Sequence, residues 1–200
     1  MEIGLLKKAA ASLVAFWVKN GVINQSETDA YIYGMELLFS TSINISIMFI
    51  VSVIARDTWL FIPYLASFIP LRLSAGGYHA KHHYSCILFN TIVYSMSIAS
   101  MKLFPAQSLV VFCLLESIVS CITTFLFAPV PAKNKPLSDE EYRRGKMLSR
   151  VLAMTILVAT ILLYISGKKA SIEWIMMCFG QSSATLLLLI EVFPIWGSFR

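Results

Sequence analysis

The sequence predicts an all-α, polytopic membrane protein of about six transmembrane helices, preceded by an amphipathic N-terminal helix. Of its 200 residues, 58% are hydrophobic and 14% are charged, whereas soluble domains carry about 25% charged residues. Six apolar stretches approach the roughly 20 residues that cross a bilayer. Because these stretches use up the apolar residues, we expect one membrane-embedded domain over residues 1–200 and no sizeable soluble core.

Residues 1–33 are expected to form an interfacial, amphipathic N-terminal region. Apolar side chains recur at roughly helical spacing, with lysines elsewhere on the helical wheel, which is typical of a helix lying on a membrane surface. No A-x-A-like cleavage site follows the short apolar stretch, so we interpret it as mature protein and not as a signal peptide. Ser26 and Asp29 stand in S-x-x-D spacing, which suggests the start of a second helix. The apolar residues are Leu5, Leu6, Ala9, Leu13, Phe16 and Trp17.

Six apolar stretches follow this region, and five of them have the length of a membrane span. The second is short and holds Pro63 and Pro70, so it is either a kinked span or a re-entrant segment. In the central loop, Ser138 followed by three acidic residues predicts the N-cap of a helix. The stretches are approximately Met35–Ile54, Thr58–Leu71, Tyr84–Met101, Gln107–Ala128, Met147–Ser166 and Ile172–Phe193.

The distribution of positive charge favours a kinked second span. With six spans, 12 of the 16 Lys and Arg residues lie on the side of the N-terminus and 4 on the other side. If the second stretch does not cross, the same counting gives 6 against 10. Because cytoplasmic loops carry the excess of Lys and Arg, we expect six spans with both termini in the cytoplasm. Residues 72–86 then lie on the cytoplasmic side.

Polar residues inside apolar runs are costly and are therefore functional candidates. Glu36 stands at the start of the first span. Glu116 lies near the middle of the fourth span, and we expect it to pair with a Ser, Thr or Gln of another helix, for example Gln181. Further polar side chains are expected to form hydrogen bonds between helices. These are Asn44, Asn90, Ser95 and Ser97.

The segment from Arg72 to Cys86, RLSAGGYHAKHHYSC, contains all three histidines and one of the four cysteines. Gly76 and Gly77 permit a tight or left-handed backbone at the membrane boundary. A histidine that titrates near neutral pH and a cysteine that it can activate are the two groups that a thiol peptidase needs. If Cys86 lies in the first turn of the third span, the helix N-terminus also favours its thiolate.

Spacing alone leaves the identity of the base open. In one continuous helix, His79 and Cys86 would lie about 10.5 Å apart along the axis, beyond hydrogen-bond reach. His82 and His83 would be the helical neighbours of Cys86. His79 can act only if the chain bends between it and the helix, which a Gly-Gly loop allows.

Simpler interpretations of these residues exist. A cysteine at a membrane boundary is usually inert, and interfacial histidines are often only polar flank. The H-x-x-H-H spacing of the histidines differs from H-E-x-x-H and has no nearby Glu, so we expect neither metal nor other cofactor. The other three cysteines lie in apolar runs, which argues against a disulfide framework. The net charge of +5 comes without a basic stripe carrying interleaved aromatics, which argues against a nucleic-acid partner.

The motif R-x-x-A-G-G-Y-H-A, followed by a cysteine seven residues after its histidine, resembles the signature of the accessory gene regulator protein B (AgrB) family. Two further matches are Tyr33-Gly34-x-Glu36 before the first span and Pro129-x-Pro131-x-x-Asn134-Lys135-Pro136 in the central loop. The chain length and the six-helix layout also fit, so the resemblance covers nearly the whole chain. Members of this family are bacterial membrane cysteine peptidases that process quorum-sensing propeptides.

The resemblance implies that His79 is the catalytic base and Cys86 the nucleophile, whereas His82 and His83 lie outside the matched pattern. It implies an AgrD-like propeptide as partner, with an amphipathic leader and an acidic C-terminal tail. The tail would be removed through a thioester on Cys86, and the remaining peptide would close into a thiolactone or lactone ring. The implied location is the bacterial cell membrane, with the active site on the cytoplasmic side.

Other residues are candidates for orienting these groups or binding the peptide. Glu36 could orient His79, although an interfacial carboxylate that reaches for water would occupy the same position. Arg72, Lys133 and Lys135 share the predicted cytoplasmic side and could bind an acidic tail, although positive-inside loops need no such purpose.

Two other classes of function remain open at this point. The chain could be a non-catalytic transporter of peptides or small molecules, in which the Gly-Gly segment is a hinge or substrate loop. It could also be a structural membrane subunit. A homodimer is compatible with each of these interpretations.

Overall fold

The computed structural model describes residues 3–76, 83–130, 138–167 and 171–193, and these ranges are predominantly helical. Five of the candidate residues, Gly77, His79, His82, Lys133 and Lys135, lie outside the described residues. The helices, numbered in chain order, are α1 (Ile3–Lys19), α2 (Thr28–Ile54), α3 (Phe61–Ala75), α4 (His83–Leu103), α5 (Ala106–Phe127), α6 (Asp139–Ile165) and α7 (Ile172–Val192).

The described part of the chain contains five helices that are long and apolar enough to cross a membrane, namely α2 and α4 to α7. Helix α5 illustrates how they associate. Its outward side chains include Leu115 and Ile122, which are 59% and 56% exposed, whereas Ser117 and Ser120 are fully buried. Large apolar residues outside and small polar residues between helices are typical of membrane bundles. The protein is therefore an all-α, multi-pass membrane protein, as the composition predicts.

The short apolar helix α3 lies among the other helices, packed against α6 and α7. The apolar run predicted a segment at residues 58–71, but the helix begins at Phe61 and continues to Ala75. The shift has a local cause, because the chain after α2 first forms a turn in which the Leu60 N–H donates to the Asp57 carbonyl at 3.1 Å. At its C-terminal end, α3 continues past Leu71, because the polar residues that follow also form helical hydrogen bonds.

Helices α3 and α7 approach each other closely at Gly180. A Cβ atom at this position would lie 2.2 Å from the Tyr64 carbonyl oxygen and 2.2 Å from Ser67 Oγ. The contact is reinforced by hydrogen bonds, because Ser67 Oγ donates to the Met177 carbonyl at 2.6 Å and the Tyr64 hydroxyl donates to Ser183 Oγ at 2.7 Å. A small residue at a crossing point lets two membrane helices pack backbone to backbone.

Helix α3 runs from one end of the bundle to the other. Its first residue, Phe61, contacts Phe49 near the end of α2, with ring centroids 5.7 Å apart. Its last residue, Ala75, accepts a hydrogen bond of 2.9 Å from the N–H of Val130, which follows α5. A re-entrant segment would return to the end where it began, so these contacts agree with the kinked-span alternative.

Helices α2 and α4 run side by side in the same direction. Ser52 Oγ and the Tyr94 hydroxyl form a hydrogen bond of 2.5 Å between them. Further along both helices, Lys102 Nζ forms an ion pair of 2.8 Å with Asp57, just after α2. Because residue numbers rise together in both pairs, the helices are parallel. Two turns before Ser52 and Tyr94, this register brings Asn44 to within about one turn of the depth of Cys86.

Some buried polar side chains form hydrogen bonds with partners other than those that the sequence suggested. The Gln181 amide donates to Ser120 Oγ at 2.9 Å, one turn along α5 from Glu116. The Glu116 carboxyl interacts instead with the Ser182 hydroxyl, so its partner is a serine of another helix, as expected, but not the Gln181 given as the example. Ser95 and Ser97 donate to carbonyls of their own helix and not to another helix, with bonds of 2.8 and 2.9 Å. A serine hydroxyl on a helix reaches the carbonyl four residues earlier more easily than it reaches a neighbouring helix.

The N-terminal helix α1 packs on α2, with Ala10 and Val14 fully buried and Phe16 62% exposed. Ser26, where the S-x-x-D spacing suggested the start of a second helix, belongs instead to a short 3-10 turn, Gln25–Glu27. Helix α2 begins after this turn, at Thr28.

The predicted cap at Ser138 is confirmed at the start of α6. Its hydroxyl accepts from the Glu141 N–H at 3.3 Å, and the Glu141 carboxylate accepts from the Ser138 N–H at 2.9 Å. This reciprocal pair is a capping box, which supplies partners to two N–H groups that the helix itself leaves free.

Candidate functional site

The described site candidates lie at one end of the bundle, where α3 ends, α4 begins and α7 ends. Arg72 stands in the last turn of α3, Cys86 in the first turn of α4 and Glu191 in the last turn of α7. The Arg72 guanidinium interacts electrostatically with both the Cys86 thiol and the Glu191 carboxyl. A cation beside a cysteine favours the thiolate, which is the nucleophilic form.

Gly76 ends helix α3 in a conformation that requires glycine. Its φ is 71° and its ψ is −145°, a backbone region that residues with a Cβ rarely adopt. A Cβ atom here would also lie 2.1 Å from the carbonyl oxygen of Val130. The backbones of Gly76 and Val130 pair here as a single parallel β-bridge. The Arg72 guanidinium donates to the Gly76 carbonyl. The end of α3, the segment after α5 and the Arg72 side chain are therefore held together at this glycine.

The start of α6 packs against the same region. A Cβ atom on Gly145 would lie 2.8 Å from the carbonyl oxygen of Ser74 and 3.6 Å from Pro129 Cβ. The ends of α3 and α5 and the first turns of α6 are thus in direct contact. This packing gives the residues around Arg72 a rigid support, which a catalytic or binding site needs.

Cys86 is a free, partly buried cysteine on the helix that follows the Gly-Gly segment. It is the fourth residue of α4, so the positive end of the helix dipole lies close to it. The Asn90 side-chain amide, one turn further along α4, donates to Cys86 Sγ at 3.7 Å. Burial among the helices disfavours the charged form of this thiol, and three features oppose that effect: a helix N-terminus, a guanidinium and an amide N–H.

The remaining described candidate, Glu36, lies on α2 towards the same end of the bundle. It precedes Ser40 and Asn44 at intervals of four residues, on the buried face of α2. By the register of α2 and α4, Glu36 lies about two turns beyond the depth of Cys86, towards the α3–α4 connection. The structure thus places Glu36 towards the same end of the bundle as Cys86, and the contact proposed between Glu36 and His79 stays a prediction, because His79 lies outside the described ranges.

Two residues of this region were not assigned to it from the sequence. Asn90 was expected to bond across helices, but its spacing of four residues from Cys86 was a usable signal, because such residues share a helix face. Glu191 gave no usable signal, since a carboxylate at the end of an apolar run is usually interfacial. Only the packing of α7 against α3 brings it to Arg72.

The other cysteines have a different environment. Cys113, Cys121 and Cys178 are free and are buried in the bundle, at most 8% exposed. Within the described ranges, His, Cys, Asp and Glu side chains form no group of three that could hold a metal ion. Cys86 therefore differs from the other cysteines in its partial exposure and its proximity to a cation.

These features define a class of protein: a multi-pass α-helical membrane protein with a partly buried cysteine and an arginine at one end of its bundle. Residues 10–193 match the family described as Accessory gene regulator B. The match spans most of the chain, which therefore belongs to this family and to the accessory gene regulator system.

A more distant similarity agrees with this assignment. An AgrB-like protein of Clostridium beijerinckii is 26% identical to the chain over 152 residues, which is 74% of this chain and 71% of that protein. No solved structure matches the chain.

Proposed function

We propose that the chain is a membrane-embedded cysteine endopeptidase that removes the C-terminal tail of an AgrD-like propeptide. The observation that carries this proposal is the environment of Cys86, where a helix N-terminus, the Arg72 guanidinium and the Asn90 amide surround one sulfur. A nucleophilic cysteine needs such electropositive, partly exposed surroundings. Membership of the family supports the propeptide as partner.

In the first step, the Cys86 thiolate attacks the carbonyl carbon of the peptide bond between the ring-forming segment and the tail. His79 is proposed as the base that takes the thiol proton, on the basis of its place in the family motif. As the tetrahedral intermediate collapses, the C–N bond breaks and the His79 imidazolium protonates the leaving amine. The tail departs and the remaining peptide is held as a thioester on Cys86.

In the second step, a cysteine thiol or serine hydroxyl within the peptide attacks this thioester. Its proton passes to His79, the Cys86 thiolate leaves, and the product is a thiolactone or lactone ring. Water at the same carbonyl would give a linear peptide instead. The partly buried position of Cys86 among helix ends supports cyclisation, because it restricts the access of water.

The charges near Cys86 support a cytoplasmic site. Arg143, Arg144, Lys146 and Arg150 lie on the first turns of α6, which begins at the Cys86 end of the bundle. Cytoplasmic ends of membrane helices carry such an excess of Lys and Arg. A newly made propeptide would reach this side first, and the same cations suit an acidic tail.

The proposal is tested with the full chain in liposomes and a propeptide labelled on its tail. Cys86→Ala should reduce tail release by at least about a thousandfold, because the covalent intermediate cannot form. Cys121→Ala is the matched control, since that cysteine is buried on α5, and it should release the tail at nearly the normal rate. Intact processing by Cys86→Ala would refute the peptidase and favour the transporter interpretation.

Three histidine variants assign the base. His79→Ala should lose tail release, whereas His82→Ala and His83→Ala should retain it. Loss in His82→Ala or His83→Ala, with normal rates in His79→Ala, would move the base to the helical neighbours of Cys86.

A trapped intermediate tests the cyclisation step. A propeptide whose ring-forming Cys or Ser is replaced by Ala should still lose its tail but remain on the protein as an adduct. Hydroxylamine should remove this adduct, because it cleaves thioesters, and Cys86→Ala should show no adduct by mass spectrometry. Tail release with no adduct and no ring would indicate simple hydrolysis.

A further inference from the structure

Asn90 lies directly below Cys86 on α4 and is 4% exposed. The two residues are one helical turn apart, so their side chains share a face. The Asn90 Nδ2 group donates to Cys86 Sγ at 3.7 Å, within the longer reach of hydrogen bonds to sulfur. The amide is thus the side chain that supports the sulfur from inside the bundle.

The other half of the Asn90 amide has no partner among the described residues. Its Oδ1 atom is buried and accepts no hydrogen bond from the described residues. A buried amide without its hydrogen bonds costs about 1–3 kcal/mol in proteins. Buried asparagines in membrane bundles usually join two helices, but the bond that Asn90 makes stays within α4. Helix association therefore does not account for this residue.

Polar residues along the seam between α2 and α4 differ with depth. Away from the site, Ser52 and Tyr94 satisfy each other with a hydrogen bond of 2.5 Å. Nearer the site end of α2, Asn44 also has a buried Oδ1 atom that accepts no hydrogen bond from the described residues. Unsatisfied amide oxygens thus occur on both helices, and for Asn90, one turn from the cysteine, the N–H groups of a bound peptide would supply the missing donor.

We infer that Asn90 is a positioning residue for Cys86: its N–H group holds the sulfur and stabilises its negative charge, while its Oδ1 atom is left to accept from the peptide. The catalytic use of this contact rests on the proposed peptidase function. The contact itself does not, because an amide donor favours the thiolate whatever reaction follows.

The test is the rate at which iodoacetamide alkylates Cys86 in the full chain, measured against pH. Asn90→Leu keeps a similar side-chain volume and removes the donor. We expect alkylation at pH 7 to slow about tenfold and the pH of half-maximal rate to rise by about one unit, since one unit corresponds to a tenfold change in thiolate. Both rates should converge at high pH. The Cys86→Ala chain gives the background from the three buried cysteines.

Ser97→Ala is the matched control, because Ser97 is equally buried on α4 but bonds only to the Val93 carbonyl. Its alkylation profile should not move. Asn90→Ala, which leaves a cavity instead of an apolar side chain, should shift the profile in the same direction as Asn90→Leu. Size-exclusion chromatography and circular dichroism in detergent establish that each variant is folded.

The inference is overturned if folded Asn90→Leu or Asn90→Ala is alkylated within about twofold of the normal rate at pH 7 with an unmoved profile. A shift equal to that of Ser97→Ala would also overturn it, because the effect would then be general packing. Failure of the peptidase proposal is separate: it appears as tail release by Cys86→Ala, whereas the alkylation profile reports the Asn90–Cys86 contact directly.

Discussion

Charged side chains have different surroundings at the two ends of the helix bundle. At one end, the Arg72 guanidinium lies within the protein, bonded to the Gly76 carbonyl and close to Cys86 and Glu191. At the other end, the ion pair of Lys102 and Asp57 is open to solvent, with side chains 46% and 31% exposed. A charge buried among helix ends interacts more strongly with nearby charges than one in water does. Moving the charge there from water also costs more free energy.

The ends also differ in how the chain is held. Near Cys86, glycines at 76 and 145 bring the backbones of α3, α6 and the segment after α5 into contact. At the opposite end, Gly167 also has a positive φ, of 63°, but a Cβ atom there would meet nothing within 4 Å. That end instead contains a cleft of about 430 Å³ between the ends of α2 and α4 and the starts of α5 and α7. Tight packing thus coincides with the cysteine, and the open cleft does not.

The largest expected effect concerns which end faces the cytoplasm. Arg56 and Arg143 are both exposed, one at each end of the bundle. In a Cys86→Ala background, Arg56→Cys should react with a membrane-impermeant maleimide on intact cells. Arg143→Cys should react only after the cells are permeabilised, because the positively charged end stays inside. The reverse pattern would invert the topology and remove the cytoplasmic site.

A second contrast replaces two positive-φ glycines. Gly76→Ala should abolish tail release and lower the unfolding temperature strongly, because the new Cβ would meet the Val130 carbonyl at 2.1 Å in a backbone region reserved for glycine. Gly167→Ala should cost only about 1 kcal/mol, since the space around it is open. Thermal unfolding in detergent and tail release measure both. Equal losses in the two variants would mean that backbone strain, and not the contact with Val130, controls the effect.

A third contrast removes one cation from each end. Arg72→Gln keeps a hydrogen-bond donor but loses the charge beside Cys86, so tail release should fall by about tenfold or more. Lys102→Gln breaks the exposed ion pair with Asp57, which is worth about 0–1 kcal/mol, and should leave the rate within about twofold. Rates are compared at equal amounts of folded protein. A normal rate in Arg72→Gln would remove the guanidinium from the proposed mechanism.

The smallest expected effect compares two helix caps. Ser138 forms a reciprocal capping box at the start of α6, whereas the Ser171 hydroxyl accepts from the Trp174 N–H at 3.3 Å at the start of α7. The double change Ser138→Ala/Glu141→Ala, which removes both bonds of the box, should cost about 1–2 kcal/mol, more than Ser171→Ala at about 1 kcal/mol. Chemical unfolding of the two variants measures the difference. A larger loss in Ser171→Ala would show that neighbouring packing outweighs the caps.

Much of the fold could be predicted because membrane helices are specified by local features. Long apolar runs gave the positions of α2 and α4 to α7 within a few residues at most ends, and the acidic residues after Ser138 gave the start of α6. The start of α2 and the whole of α3 were placed less well. Hydrogen bonds extend a helix into polar sequence, which apolar composition does not report.

The candidate site was predictable in its centre and not in its surroundings. Cys86 and Arg72 were found from a short motif, and the structure places their side chains close enough to interact electrostatically. Glu191 joins them from a helix more than a hundred residues away, and Gln181 donates to Ser120 and not to Glu116. Pairings across a bundle depend on helix rotation and register, which no single stretch of sequence contains.

The sequence by itself determined that the chain is an α-helical membrane protein, where its helices lie approximately and which cysteine stands beside a Gly-Gly and histidine segment. These properties follow from composition, from local spacing and from a motif of adjacent residues. The charge count already favoured a spanning α3, and with it parallel helices α2 and α4. Only the tertiary structure decided that α3 and α7 pack closely at Gly180, that Glu191 lies near Arg72, and that Asn90 supports Cys86. The physical reason is that the transfer of apolar side chains into lipid acts on each helix separately, whereas contacts between helices depend on the shapes and polar groups of all of them.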